Sequence, residues 1–110
     1  MNATRFKLNE QKASKLSGMS VGKLWDFINK IALKNNLIVV KNGEYHAQGK
    51  PDDMLYLGAF ILDELLNLEW FTKSVVEWSG FYDDGTSDDI IALARSKNLG
   101  VWENSPQKRK

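Results

Sequence analysis

Asn42-Gly43 sits between two runs of strand-forming residues, Leu37-Ile38-Val39-Val40 and Tyr45-His46-Ala47. A two-residue hairpin loop that keeps the twist of its strands needs positive φ at both central positions, and Asn-Gly meets that need at the lowest steric cost. A hairpin follows, with Val40 opposite Tyr45 and Val39 opposite His46. Everything else in the chain has to be arranged around this pair of antiparallel strands.

The segments on either side are helical in pattern. Residues 9–17 read as a short polar helix ending at Gly18, and Ser20 is a good N-cap for a second helix from Val21 to Lys34. Leu24, Phe27, Ile28 and Ile31 give that helix its buried stripe, with Lys23, Asp26, Lys30 and Lys34 largely on the other side. Asn35-Asn36 closes it. Beyond the hairpin, Gly49-Lys50-Pro51-Asp52-Asp53 is a helix start, with proline near the first position and acids in the first turn. The helix that follows carries Leu57, Phe60, Ile61, Leu65 and Leu68 and is expected to be the central core element.

Residues 70–82 fit either of two states. Ser79-Gly80 suits a helix end, whereas Val75-Val76 suits a strand. Asp83-Asp84-Gly85-Thr86-Ser87 is a loop, Thr86-x-x-Asp89 has capping-box character, and residues 88–96 read as a helix. Leu99 to Trp102 is expected to form a short C-terminal strand. A short echo links Ile31-Ala32-Leu33 with Asn36-Leu37 to Ile91-Ala92-Leu93 with Asn98-Leu99, too brief to mark a duplication. The fold class is therefore α+β: one helix-rich domain over residues 1–104, then a disordered basic tail over 105–110.

Composition narrows the function. The 110 residues include no cysteine, which removes disulfides, thiolate metal sites and cysteine nucleophiles, and fits a cytoplasmic protein. The most apolar run, Met54 to Leu68, is interrupted by Asp63 and Glu64 and is too short for a bilayer span. Charge is divided along the chain. Residues 1–50 hold nine Lys/Arg against three acids, and residues 51–104 hold three against eleven. Such a division marks either two surfaces with different partners or two halves that neutralise each other.

The order helix, turn, helix, strand, Asn-Gly turn, strand, helix carries a resemblance. Ser14, Gly18-Met19-Ser20 and Leu24, with Asn36 through Tyr45, make residues 10–62 similar to the winged helix-turn-helix family of nucleic-acid-binding domains. The resemblance implies that the helix from Val21 is the recognition helix. Lys23, Lys30 and Lys34 would then contact phosphates, Lys41 and Asn42 at the wing tip would touch the backbone or minor groove, and Trp25 and Asn29 would reach base edges. It covers about half of the chain, and the family's first helix is either missing or compressed into the first eight residues.

Other chemistry is thinly represented. His46 is the lone histidine and lacks partners for metal or acid–base work, so a cross-strand structural role is expected. Asp83, Asp84, Asp88 and Asp89 do not have EF-hand spacing and read as a turn and an acid-rich helix start. Nothing sets Glu64, Glu69 and Glu77 across a cleft from one another. Of the four tryptophans, Trp25 is the one expected to be exposed. With no phosphate-cradling loop, nucleophile elbow or metal motif, a non-enzymatic protein without a cofactor is expected.

Two functions remain. One is a small regulatory protein that binds DNA through the basic half, with the acidic half left for dimerisation or partner contact. The other is a stoichiometric protein-binding inhibitor, such as an immunity or host-takeover (anti-defence) factor of a phage or mobile element. That inhibitor would dock through the acidic half, at Asp83, Asp84, Asp88 and Asp89.

Overall fold

Thr4, Phe6 and Leu8 alternate with Arg5 and Lys7, the two-residue period of a strand with one covered face. In the computed structural model, which describes residues 1–102, these residues form β1 (Ala3–Leu8). Among the described residues no helix precedes the helix-turn-helix unit. Of the two possibilities for the family's first helix, missing or compressed into residues 1–8, it is missing here; the alternation of residues 4–8 suits a sheet that buries one side.

The elements after β1 are α1 (Glu10–Ser17), α2 (Val21–Lys34), β2 (Ile38–Lys41) and β3 (Glu44–His46). Next come α3 (Asp53–Gly58), α4 (Glu69–Thr72), β4 (Val75–Phe81), β5 (Ser87–Asp89) and α5 (Ile90–Ser96). The strands form one antiparallel sheet in the order β2-β3-β1-β4-β5. Helices cover one face of it, and a shortest dimension of 18 Å leaves room for only those two layers. The hairpin is thus part of a larger sheet, with β3 paired to β1. The winged-helix resemblance extends to the order of elements and no further.

Gly18 and Ser20 are the caps the sequence implies, and Asn9, read as the first helical residue, is instead the N-cap of α1. Asn9 accepts from the Lys12 N–H, Gly18 ends α1 at φ +76°, and Ser20 accepts from the Lys23 N–H. The hairpin loop is Asn42-Gly43, but only Gly43 has positive φ, and an irregularity between Val39 and Lys41 shifts the pairing. Val39 faces Tyr45 and Ile38 faces His46, one step from the expected register. The close approach to β1 requires glycine at 43. Its carbonyl accepts the Phe6 N–H at 2.8 Å, and a Cβ there would lie 2.6 Å from the Phe6 carbonyl oxygen.

The buried stripe of α2 is Leu24, Trp25, Ile28, Ile31 and Ala32, with Phe27 38% exposed. Sequence periodicity fixes Leu24, Ile28 and Ile31 but allows either flank to join them. The partner opposite decides. Phe6 of β1 stacks on Trp25 with centroids 5.9 Å apart and planes within 9°, and the indole N–H donates to Glu10 at 2.6 Å. Phe6 also meets Tyr45, Phe71 and Trp78, which makes it the aromatic centre of the core.

After α3 the helix widens into a π turn over Ala59–Glu64 and tightens into a 3-10 turn over Leu65–Asn67. The sequence explains this. The buried doublet Phe60-Ile61 recurs five residues later as Leu65-Leu66, a spacing that an α-helix would rotate off its face and that an i→i+5 turn keeps in line. Correspondingly, the Leu65 N–H reaches the carbonyls of both Ile61 and Phe60.

Residues 70–82 divide between the two readings, helix through Thr72 and strand from Val75. Ser79-Gly80 lies inside β4, where a Cβ on Gly80 would press on Tyr82 and Ile90. Thr86 caps nothing; Ser87–Asp89 pair with β4, and Asp89 caps α5 by accepting the Ala92 N–H. Leu99 to Trp102 form no strand. The echo has a structural basis at its helix ends. Asn36 (φ +59°) and Asn98 (φ +57°) turn left-handed, and Leu37 and Leu99 donate back to Ala32 and Ala94. The basic tail expected over 105–110 lies outside the described residues.

Candidate docking surfaces

The residues singled out for nucleic acid fall into three groups. Lys23, Lys30 and Lys41 are exposed, and no carboxylate pairs with them among the described residues. Lys34 is exposed but bridges to Glu64 at 2.9 Å. Trp25 is buried behind Glu10 and Phe6 and presents no face to a ligand, which corrects its assignment as the exposed tryptophan. Asn29 does meet Asn42, its Nδ2 donating to the Asn42 Oδ1 at 2.9 Å. Its own Oδ1 accepts from the Tyr45 hydroxyl at 2.7 Å, and that hydroxyl accepts from the Gly43 N–H at 3.2 Å. Helix α2 and the hairpin loop are thereby joined into one surface, with the Asn29 nitrogen and oxygen each engaged in joining them.

His46 sits on β3 beside Glu44, its Nε2 2.9 Å from the carboxylate, in a sheet pair with Ile38. Among the described residues no three His, Asp or Glu side chains gather into a metal-binding group. None of the helices there is long and apolar enough to cross a membrane.

The acidic residues lie around the loop that joins β4 to β5. Asp83 is held by Asn2, whose side chain donates to the carboxylate at 3.0 Å and accepts the Asp83 N–H at 3.1 Å. Asp84 accepts from the Thr86 hydroxyl and N–H, which hold its carboxyl below the usual carboxylate range. Asp88 accepts from the Tyr82 hydroxyl at 3.0 Å. Burial, then this bond and the Asp88 charge, push the Tyr82 phenol up to about 12, so it remains a neutral donor. Among the described residues Asp84, Asp88 and Asp89 thus hydrogen-bond to neutral groups, and no cation pairs with them.

Beside them runs an almost wholly apolar groove of about 300 Å³. One wall is α3 and the π turn, with Leu57, Ile61 and Leu62; the other is α5, with Ile90, Leu93 and Ala94. A second hollow, lined in part by Asp83, Asp84 and Asp88, shares Met54 and Tyr82 with it, so the groove opens onto the carboxylates at that end. At the other end stand Lys97 and Leu99. Leu62 and Leu93 on its walls are themselves exposed. A continuous apolar groove of this kind often marks an interaction site.

Sequence reasoning placed Leu57 and Ile61 in the core and passed over Met54, Leu62 and Leu93. For Met54 and Leu62 the signal was an excess: the run from Met54 to Leu68 holds more apolar residues than one buried stripe can use. No family model matches the chain, and no curated protein matches it. The fold and the groove define a two-layer α+β domain with an apolar groove beside an acidic loop.

Proposed function

We propose that this is a non-enzymatic cytoplasmic binding protein that engages a protein partner through its acidic second half, as a stoichiometric inhibitor would. The observation that carries the reading is the groove between α3 and α5, open to solvent and continuous with Asp84 and Asp88. Apolar surface supplies the favourable free energy of association, and negative charge beside it steers a complementary partner. An immunity or anti-defence factor that blocks a basic target surface is the form of inhibitor this suits.

The test is capture from host lysate with the wild-type chain and with Leu62→Asp plus Leu93→Asp, before and after nuclease treatment. A partner retained after nuclease and lost with the double substitution is the expected outcome. Equal capture by both chains would refute the groove as the docking surface.

The Asn29–Asn42 hydrogen bond favours a second reading, in which α2 and the hairpin loop together meet nucleic acid. With Trp25 in the core and the Asn29 amide engaged, Lys23, Lys30 and Lys41 remain for phosphate contacts, which carry no sequence information. Such binding would appear as a low-salt shift of duplex DNA, lost on reversing those three charges.

A further inference from the structure

The groove constrains the conformation of what enters it. Its lining comes from α3, the π turn and α5, with Tyr82, Lys97 and Leu99 at the ends, so no strand residue lines it. A peptide laid there in extended form would press its backbone N–H and C=O groups against an apolar wall with nothing to bond. Such unsatisfied groups are costly when dry. A helix satisfies its own backbone and presents only side chains. From Met54 to Leu66 the wall is roughly 15–18 Å long, about three helical turns. The exposed rim, with Leu62 at 51% and Leu93 at 41%, suits apolar residues spaced at i, i+4 and i+7.

The groove also has a direction. The N-terminal ends of α3 and α5 lie together at the carboxylates. Their C-terminal extensions meet at the other end, where the Leu66 side chain approaches Gly100. Charge is therefore negative at one mouth, with Lys97 at the other. We infer that the groove takes an amphipathic helix of a partner protein, its apolar face on Ile61, Leu62 and Leu93 and its Lys- or Arg-bearing end over Asp84 and Asp88. This rests on the protein-binding reading above.

The experiment is selection against the full chain from a display library of helical peptides of about 15 residues, leucine fixed at i, i+4 and i+7 and the remaining positions random. Lys and Arg should be enriched toward one end of the selected peptides. Asp84→Lys with Asp88→Lys should weaken them about tenfold, and Leu62→Asp with Leu93→Asp should abolish binding. All four side chains are exposed, and a circular dichroism spectrum and melting curve for each variant confirm folding.

Peptides that need Leu62 and Leu93 but show no basic enrichment, or ignore the charge reversal, overturn the basic helix and leave the groove standing. An empty selection also overturns it, and capture dependent on Leu62 and Leu93 then decides the groove separately. Self-association of the chain, abolished by Phe27→Asp with Lys30→Glu, would put α2 of a second copy there instead and overturn the proposal.

Discussion

Gly43 is held where the loop between β2 and β3 passes against β1, at φ +92° and 2.8 Å from the Phe6 N–H. Gly43→Ala combines left-handed strain with a clash against backbone that cannot move alone. It should cost about 2–3 kcal/mol, read as a lower urea midpoint with unchanged slope. Tyr45 stands beside it, with burial pushing its phenol up to about 12 and the Gly43 N–H pulling slightly the other way. An unfolded tyrosine loses its proton near 10, whereas the folded one keeps it to about 12. Between those values the unfolded chain binds fewer protons, so stability falls as pH rises. Below 10 the contribution is complete. Tyr82 acts in the same sense. Denaturation midpoints should fall from pH 10 to 12, and less steeply in Tyr45→Phe. That variant should also lose about 1–3 kcal/mol at neutral pH through the unsatisfied Gly43 and Asn29 groups.

At the scale of elements, the segment from Asp53 to Asn67 is three kinds of helix in one run, each turn length set by where the apolar doublets fall. Inserting an alanine after Asp63 adds a residue that the wide turn cannot keep in line and rotates Leu65 and Leu66 by about 100° off the core. The expected loss is that of a core leucine, ~2–5 kcal/mol, visible in thermal melts. Gly58→Ala should do the reverse. A Cβ there meets nothing within 4 Å, and a helical Ala gains about 0.5–1 kcal/mol over Gly. What the sequence disclosed follows the same division. Capped helices such as α2 and the Asn-Gly loop are local events, written in adjacent residues, and were legible. The choice of Trp25 over Phe27 and the strand Val75–Phe81 depend on Phe6 and the rest of β1, partners far along the chain, and were not. The groove was illegible for a related reason. Its walls come from residues 54–66 and 90–99, and neither half is a site alone.

Across the whole molecule, the charge division in the sequence becomes a division in space. Strands β2 and β3 of the basic half form one side of the sheet, and β4 and β5 of the acidic half form the other, with β1 at the seam. β1 is paired on both sides, Ala3 opposite His46 on one and opposite Phe81 on the other. A chain ended after Ser74 therefore keeps α1, α2 and the hairpin but leaves one flank of β1 bare. It should show retained helix by circular dichroism, no cooperative melt, and concentration-dependent aggregation, since an open strand edge is a template for another chain. The same arrangement governs how the protein is made. Strand β1 cannot be enclosed on both sides until residue 81 has been synthesised. Pairing across so long a stretch of chain makes folding slow relative to helical domains of equal size and leaves an open strand edge until β4 arrives.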